Sequence, residues 1–138
     1  MYRVEPVVSK SFRIVDLKPN LENITVRVRV LETHPPRTIQ TKKGMRTISS
    51  AIVGDSTGRV DVTVWGEKAG TLKNGDAIEI SGAWTTVFRG NVVLNIGRTT
   101  IVKKIDDNAV PGVNDIPNTK PVARGRRGFE ERSGEEYE

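Results

Sequence analysis

Alternation with a period of two is what most limits the folds open to this chain. Ile24, Val26, Val28 and Val30 are separated by Thr25, Arg27 and Arg29, and Val60, Val62 and Val64 by Asp61 and Thr63. Successive side chains on a strand point to opposite faces, so each run predicts a strand with one apolar face, whereas a helix would repeat its apolar residues every three to four positions. Thr47 to Val53 is a further β-rich run, and it stops at the turn-forming cluster Gly54-Asp55-Ser56-Thr57-Gly58. Ala77 to Ser81 follows the turn Asn74-Gly75-Asp76, and Arg89-Gly90-Asn91 separates Trp84–Phe88 from Val92–Ile96 as a hairpin tip. Gly66 to Lys73 has room for one short helical turn, and Ile101 and Val102 extend the last strand.

These five or so strands, with almost no helical pattern, predict an all-β fold. Their order, three strands, a short link and two more, suits a five-stranded Greek-key barrel of the OB-fold type. A sandwich of the same length satisfies the same periodicity. At 138 residues the chain holds one ordinary domain. Residues 1–15 read as an N-terminal extension and 16–105 as the barrel. From Asp106 to the end, Asp, Asn, Pro, Gly and Arg dominate, too little apolar material to offset chain entropy, so 106–138 is expected to be a flexible, disordered tail. The apolar runs, such as Ala51-Ile52-Val53, fall far short of the ~20 residues of a membrane span, and the first ten residues lack the apolar core of a secretory signal. The expectation is a cytoplasmic, nucleoid-associated protein without membrane partners.

The absence of cysteine removes disulfides, thiol nucleophiles and zinc fingers, and the single His34 cannot build a multi-histidine metal site. Asp55 and Asp76 sit in glycine turns, where aspartate bonds its own backbone, so their expected role is structural. No metal, no cofactor and no catalysis are expected; the chain reads as a binding module. Its charge suggests the ligand. Residues 1–123 carry 18 basic and 12 acidic side chains, whereas Glu130 to Glu138 holds five glutamates and one arginine. The segment from Pro35 to Arg46 contains Arg37, Lys42, Lys43 and Arg46 and no acid, and reads as a mobile cationic loop able to close on a polyanion, with Ile39 in its middle.

Aromatic residues make up only 5% of the chain, so their positions are informative. Trp65 shares its parity with Arg59, opposite the inward valines. A tryptophan standing outward beside a cation is what a base-stacking platform needs; alternatively, the strand ends at Val64 and Trp65 folds back as a cap on the core. Trp84, Thr86 and Phe88 share another parity. Continuing the phase of Ile78 and Ile80 puts Trp84 and Phe88 inside, whereas a bulge at Ser81-Gly82 turns them outward, and the pattern leaves both readings open.

Longer stretches carry a resemblance. Asp16-Leu17-Lys18-Pro19-Asn20, Val26 to Glu32, Ile39-Gln40-Thr41-Lys42, Arg46 to Ser49, Ala51 to Asp55, Thr57 to Val60, Val64-Trp65-Gly66 and Ala83 to Phe88 resemble the archaeal, especially crenarchaeal, single-stranded-DNA-binding proteins. That resemblance implies one OB-fold with a flexible tail, base stacking by Trp65, Trp84 and Phe88, and strand contacts from Ile39 and the basic loop. The expected function is sequence-tolerant binding of single-stranded DNA in replication, recombination and repair. Arg37, Lys42, Lys43, Arg46, Arg59 and Arg89 would neutralise phosphates, and the acidic end would dock replication and repair proteins. The protein is expected to be a monomer. An RNA-binding OB-fold and a protein-interaction subunit of a replication or repair complex are the rival readings.

Overall fold

Each alternating run becomes a strand. The computed structural model describes residues 10–123, and among them lie eight strands: β1 (Lys10–Ser11), β2 (Ile24–Thr33), β3 (Arg37–Thr41), β4 (Gly44–Asp55), β5 (Gly58–Trp65), β6 (Ala77–Phe88), β7 (Asn91–Ile96) and β8 (Ile101–Lys104). The sheet runs β2-β4-β5-β7-β6, and β6 pairs back onto β2, closing a five-stranded barrel; β1 and β8 lie at its margins. All neighbouring pairs within the barrel are antiparallel except β5 and β7, which run parallel. The valines and isoleucines of β2 and β5 interdigitate inside with Ile78, Ile80, Leu94 and Ile96. The sandwich alternative is thereby excluded, and the expected short turn after Trp65 is a 3-10 turn at Gly66–Lys68.

The decisive local feature is in β6. Thr25 pairs with Ser81 but Ile24 pairs with Ala83, so Gly82 is skipped. Its φ of +80° lies in the left-handed region that glycine alone enters without strain. The bulge reverses the phase of the strand. Ile78 and Ile80 point inward before it, Ala83 and Thr85 after it, and Trp84, Thr86 and Phe88 are carried to the outer face.

Both ends of the described chain reach further into the body than their composition suggests. Residues 10–15, expected as extension, pair with β2 and insert Ile14, which is fully buried in the core. The Ile14 amide donates to Asp55 Oδ2 (3.0 Å) and the Val15 amide to Thr57 Oγ1 (3.1 Å), so the turn expected to bond itself also holds this segment. At the other end, residues 106–123 lie across the barrel as a strap where a flexible tail was expected. Ile116 is buried against Gly54, and the Arg59 amide donates to Thr119 O (2.8 Å). Val122 forms a bridge with Asn91, and the Ala123 amide donates to Gly90 O (2.9 Å). The reason is long-range: Arg29 and Arg59, more than fifty residues away in sequence, supply the hydrogen bonds the strap cannot make for itself. The Arg/Gly cluster at 124–128 and the acidic end lie outside the described residues.

Candidate nucleic-acid interface

The register of the barrel arranges its outer face in rows. Ser50, Thr63, Asn95 and Trp84 form one; Ile52, Asp61, Val93 and Thr86 form the next; Phe88 and Asn91 face each other in the third. Trp65 stands at the end of β5 opposite Ile48. Apart from Ile48 and Asn91, these residues line a groove of about 670 Å³ that contains Trp65, Trp84 and Phe88. All three rings are half-buried, which leaves part of each ring open to a ligand, and neither tryptophan belongs to the core.

The cationic stretch is a hairpin rather than a mobile loop. Arg37 to Thr41 pairs with Gly44 to Ile48, with Lys42 and Lys43 at its turn. Arg37, Ile39 and Thr41 alternate onto the same face as Arg46, which pairs directly with Ile39. Arg37, Lys43 and Arg46 line the groove, together with Arg98, a cation that the sequence reasoning passed over. Lys42 lies at the turn, outside the lining. Arg89 stands at the β6–β7 tip with its guanidinium 5.0 Å from the centre of the Phe88 ring, a cation–π contact that restrains the ring.

Arg59 is the exception. Its parity does put it on the outer face, but Nη2 donates to Ile116 O (2.9 Å) and Nε to Pro117 O (3.1 Å). Its guanidinium is held by the strap, and Arg59 is not part of the groove lining. Asp61 likewise pairs with Lys120 of the strap at 3.1 Å.

Beneath the rings lies Asn95, only 2% exposed. Its Oδ1 accepts from Trp65 Nε1 at 3.0 Å and its Nδ2 donates to Thr86 Oγ1 at 3.0 Å, with longer contacts to the carbonyls of Val93 and Trp84. An indole N–H only donates, so this bond fixes which way the amide points. One buried side chain therefore ties both ring-bearing strands, β5 and β6, to the strand between them. Asparagine is disfavoured inside a β-branched run; its presence in Asn91-Val92-Val93-Leu94-Asn95-Ile96, at the outward parity, was the available signal.

Among the described residues no cluster of three or more His, Asp or Glu is placed to hold a metal ion. What the groove offers is three aromatic rings, Trp65 held by an amide and Phe88 by a guanidinium, under a basic hairpin.

The profile described as "Single-stranded DNA binding protein Ssb-like, OB fold" matches residues 17–104. The chain belongs to the Ssb-like OB-fold family. It is 48% identical over 122 residues to the single-stranded DNA binding protein Ssb of Saccharolobus solfataricus, covering 85% of this chain and 82% of that one. A replication factor A related protein from Methanobacterium thermoautotrophicum superposes with a TM-score of 0.60 at 25% identity, over 70% of this chain and 92% of the other. A replication protein A heterotrimer bound to ssDNA superposes at 0.59 with 17% identity, over 79% of this chain and 27% of that one, a likeness of fold alone. The Ssb-like match at 17–104 leaves out Ile14 and the strap, although both pack on the barrel.

In this Ssb-like barrel Gly97 makes room for the central ring. A Cβ at position 97 would lie 2.7 Å from Trp84 Cη2 and 3.0 Å from Cζ3. The obstructed atoms belong to the outer edge of a half-buried ring, so the ring would move and the barrel would not. Gly97→Ala is expected to leave thermal unfolding within about 2 °C of the parent while weakening oligo-dT binding about three- to tenfold, a partial loss of one stacking contact. Fluorescence titration beside a thermal melt reads both; equal affinity would show that the position of the ring does not matter.

Proposed function

We propose that this protein binds single-stranded DNA with little sequence preference, as a non-catalytic factor acting in the cytoplasm on the exposed strands of replication, recombination and repair. The observation that carries the reading is the phase reversal at Gly82, which brings Trp84 and Phe88 onto the face that already bears Trp65. Every base has a π-face, so stacking tolerates any sequence, contributing about 1–3 kcal/mol per base, and it discriminates against duplexes, whose bases are already stacked. Arg37, Lys43, Arg46 and Arg98 supply the charge for the backbone, with Lys42 and Arg89 at the two hairpin turns beside them. Ile39, outside the groove lining but cross-strand from Arg46, offers an apolar contact on the hairpin.

Titrating the full chain with oligo-dT should quench tryptophan emission, and log affinity should fall linearly with log salt, by about 0.7 per phosphate neutralised. Double-stranded DNA of the same length should compete poorly. Unquenched emission together with salt-independent association would transfer the surface to a protein partner, and equal competition by a matched RNA strand would widen the ligand to single-stranded nucleic acid in general.

A further inference from the structure

A second groove, of about 780 Å³, runs between the amino-terminal segment and the strap. Its lining includes Lys10, Arg13, Lys18 and Lys120, with Asp16 as the only acid among the described residues there, and Arg13 bonds that carboxylate at 2.8 Å. The apolar component is Phe12, with the Lys10 ammonium 5.7 Å from its ring centre, and Val122, which is 58% exposed. A valine left in water among lysines, beside a half-buried phenyl ring, has the same composition as the first groove: apolar surface for bases and cations for phosphates.

One row of residues links the two grooves. Phe88, at the edge of the aromatic face, is the cross-strand partner of Asn91, and Asn91 is bridged to Val122. Cross-strand partners share a face, so Phe88, Asn91 and Val122 form one row spanning two strand spacings, about 10 Å. Lys120 sits at the junction, lining the second groove while its Nζ reaches Asp61 in the first. We propose that single-stranded DNA leaving the aromatic face at Phe88 continues past Val122 into this second groove, where Lys10, Lys18 and Lys120 take its phosphates and Phe12 and Val122 contact its bases. This rests on the reading of the first groove as a single-strand site and adds a subsite to which Lys10, Phe12, Lys120 and Val122, outside the matched region 17–104, contribute beside Lys18 within it.

The test compares the full chain with the double variant Lys10→Ala/Lys18→Ala; both side chains are exposed, so the barrel is expected to be unaffected. Two ligands are used, oligo-dT of about 5 nucleotides, near the lower end of the range for one OB-fold, and of about 15, near its upper end. On the long strand the variant should lose about 1.4 from the salt slope, two cations at 0.7 each, so that between 50 and 200 mM salt its affinity falls about sevenfold less than that of the parent. On the short strand the two should coincide. An unchanged slope on the long strand, or an equal reduction on both strands, overturns the second subsite. Failure of the parent to bind either strand overturns the first-groove reading instead, so the two failures are distinguishable.

Discussion

Trp84→Ala should weaken binding of oligo-dT by more than about tenfold while leaving the barrel folded. The ring stands between Trp65 and Phe88 along the groove floor, cross-strand from Asn95, with Thr63 beyond and with Phe88 four residues further along the same face. Removing one stacking platform costs about 1–3 kcal/mol, or about five- to 150-fold in affinity, and a central position belongs in the upper part of that range. The chain has two tryptophans, so the variant retains the emission of Trp65 alone, and the remaining quenching reports that ring separately. Trp84→Phe should recover most of the affinity, because it keeps a π-face at the same place. An alanine variant within twofold of the parent would mean that the base does not rest on this ring.

The two ring systems of β6 also show how far the sequence can be read. Alternation located β2 and β5, and β-rich runs bounded by turn residues located β4, β7 and, as two separate pieces, β6; the hairpin tip at Arg89-Gly90 has positive φ at both residues, as a two-residue turn matching the strand twist requires. The inward or outward choice for Trp84 and Phe88 was undecidable from alternation, because it depends on one skipped residue, and that skip is visible only in the pairing of β2 with β6. Arg29 and Arg59 mark a different limit. Alternation correctly places both away from the core, but exposure also depends on what lies over that face, and a strap fixed by contacts more than fifty residues distant leaves no local periodicity. Arg27, two residues from Arg29 and beyond the strap, remains 64% exposed. The cationic hairpin was missed for a related reason: its strands carry threonine, glutamine and arginine, which show no apolar alternation, because neither of their faces belongs to the core.

Arg29→Met should lower the unfolding free energy by about 3–5 kcal/mol, the scale of several carbonyls losing their donor at about 1–3 kcal/mol for each that stays buried. Arg29 is 6% exposed. Its Nε donates to Pro111 O, Nη1 to Gly75 O and Asp107 Oδ1, and Nη2 to Asp107 O and Val110 O, at 2.5–3.0 Å. The Asp107 side chain is 82% exposed, so its pairing with Arg29 is largely screened by water, and the loss lies in the four carbonyls that a methionine leaves without a donor. Arg29→Lys separates the two contributions. It keeps the positive charge but replaces a planar fork of five donors with a single ammonium, so it should recover only a minor part of the loss. The unfolding midpoint in urea measures the stability. Amide exchange at Arg59 and Ala123, whose N–H groups donate to Thr119 O and Gly90 O, shows whether the strap has lifted. Because the strap carries Lys120 and Val122, both variants should also lose the additional salt dependence on long oligo-dT while keeping the affinity of the aromatic face for short strands. A methionine variant as stable as the parent, with both amides still protected, would mean that the strap is held by Ile116 and Arg59 without help from Arg29.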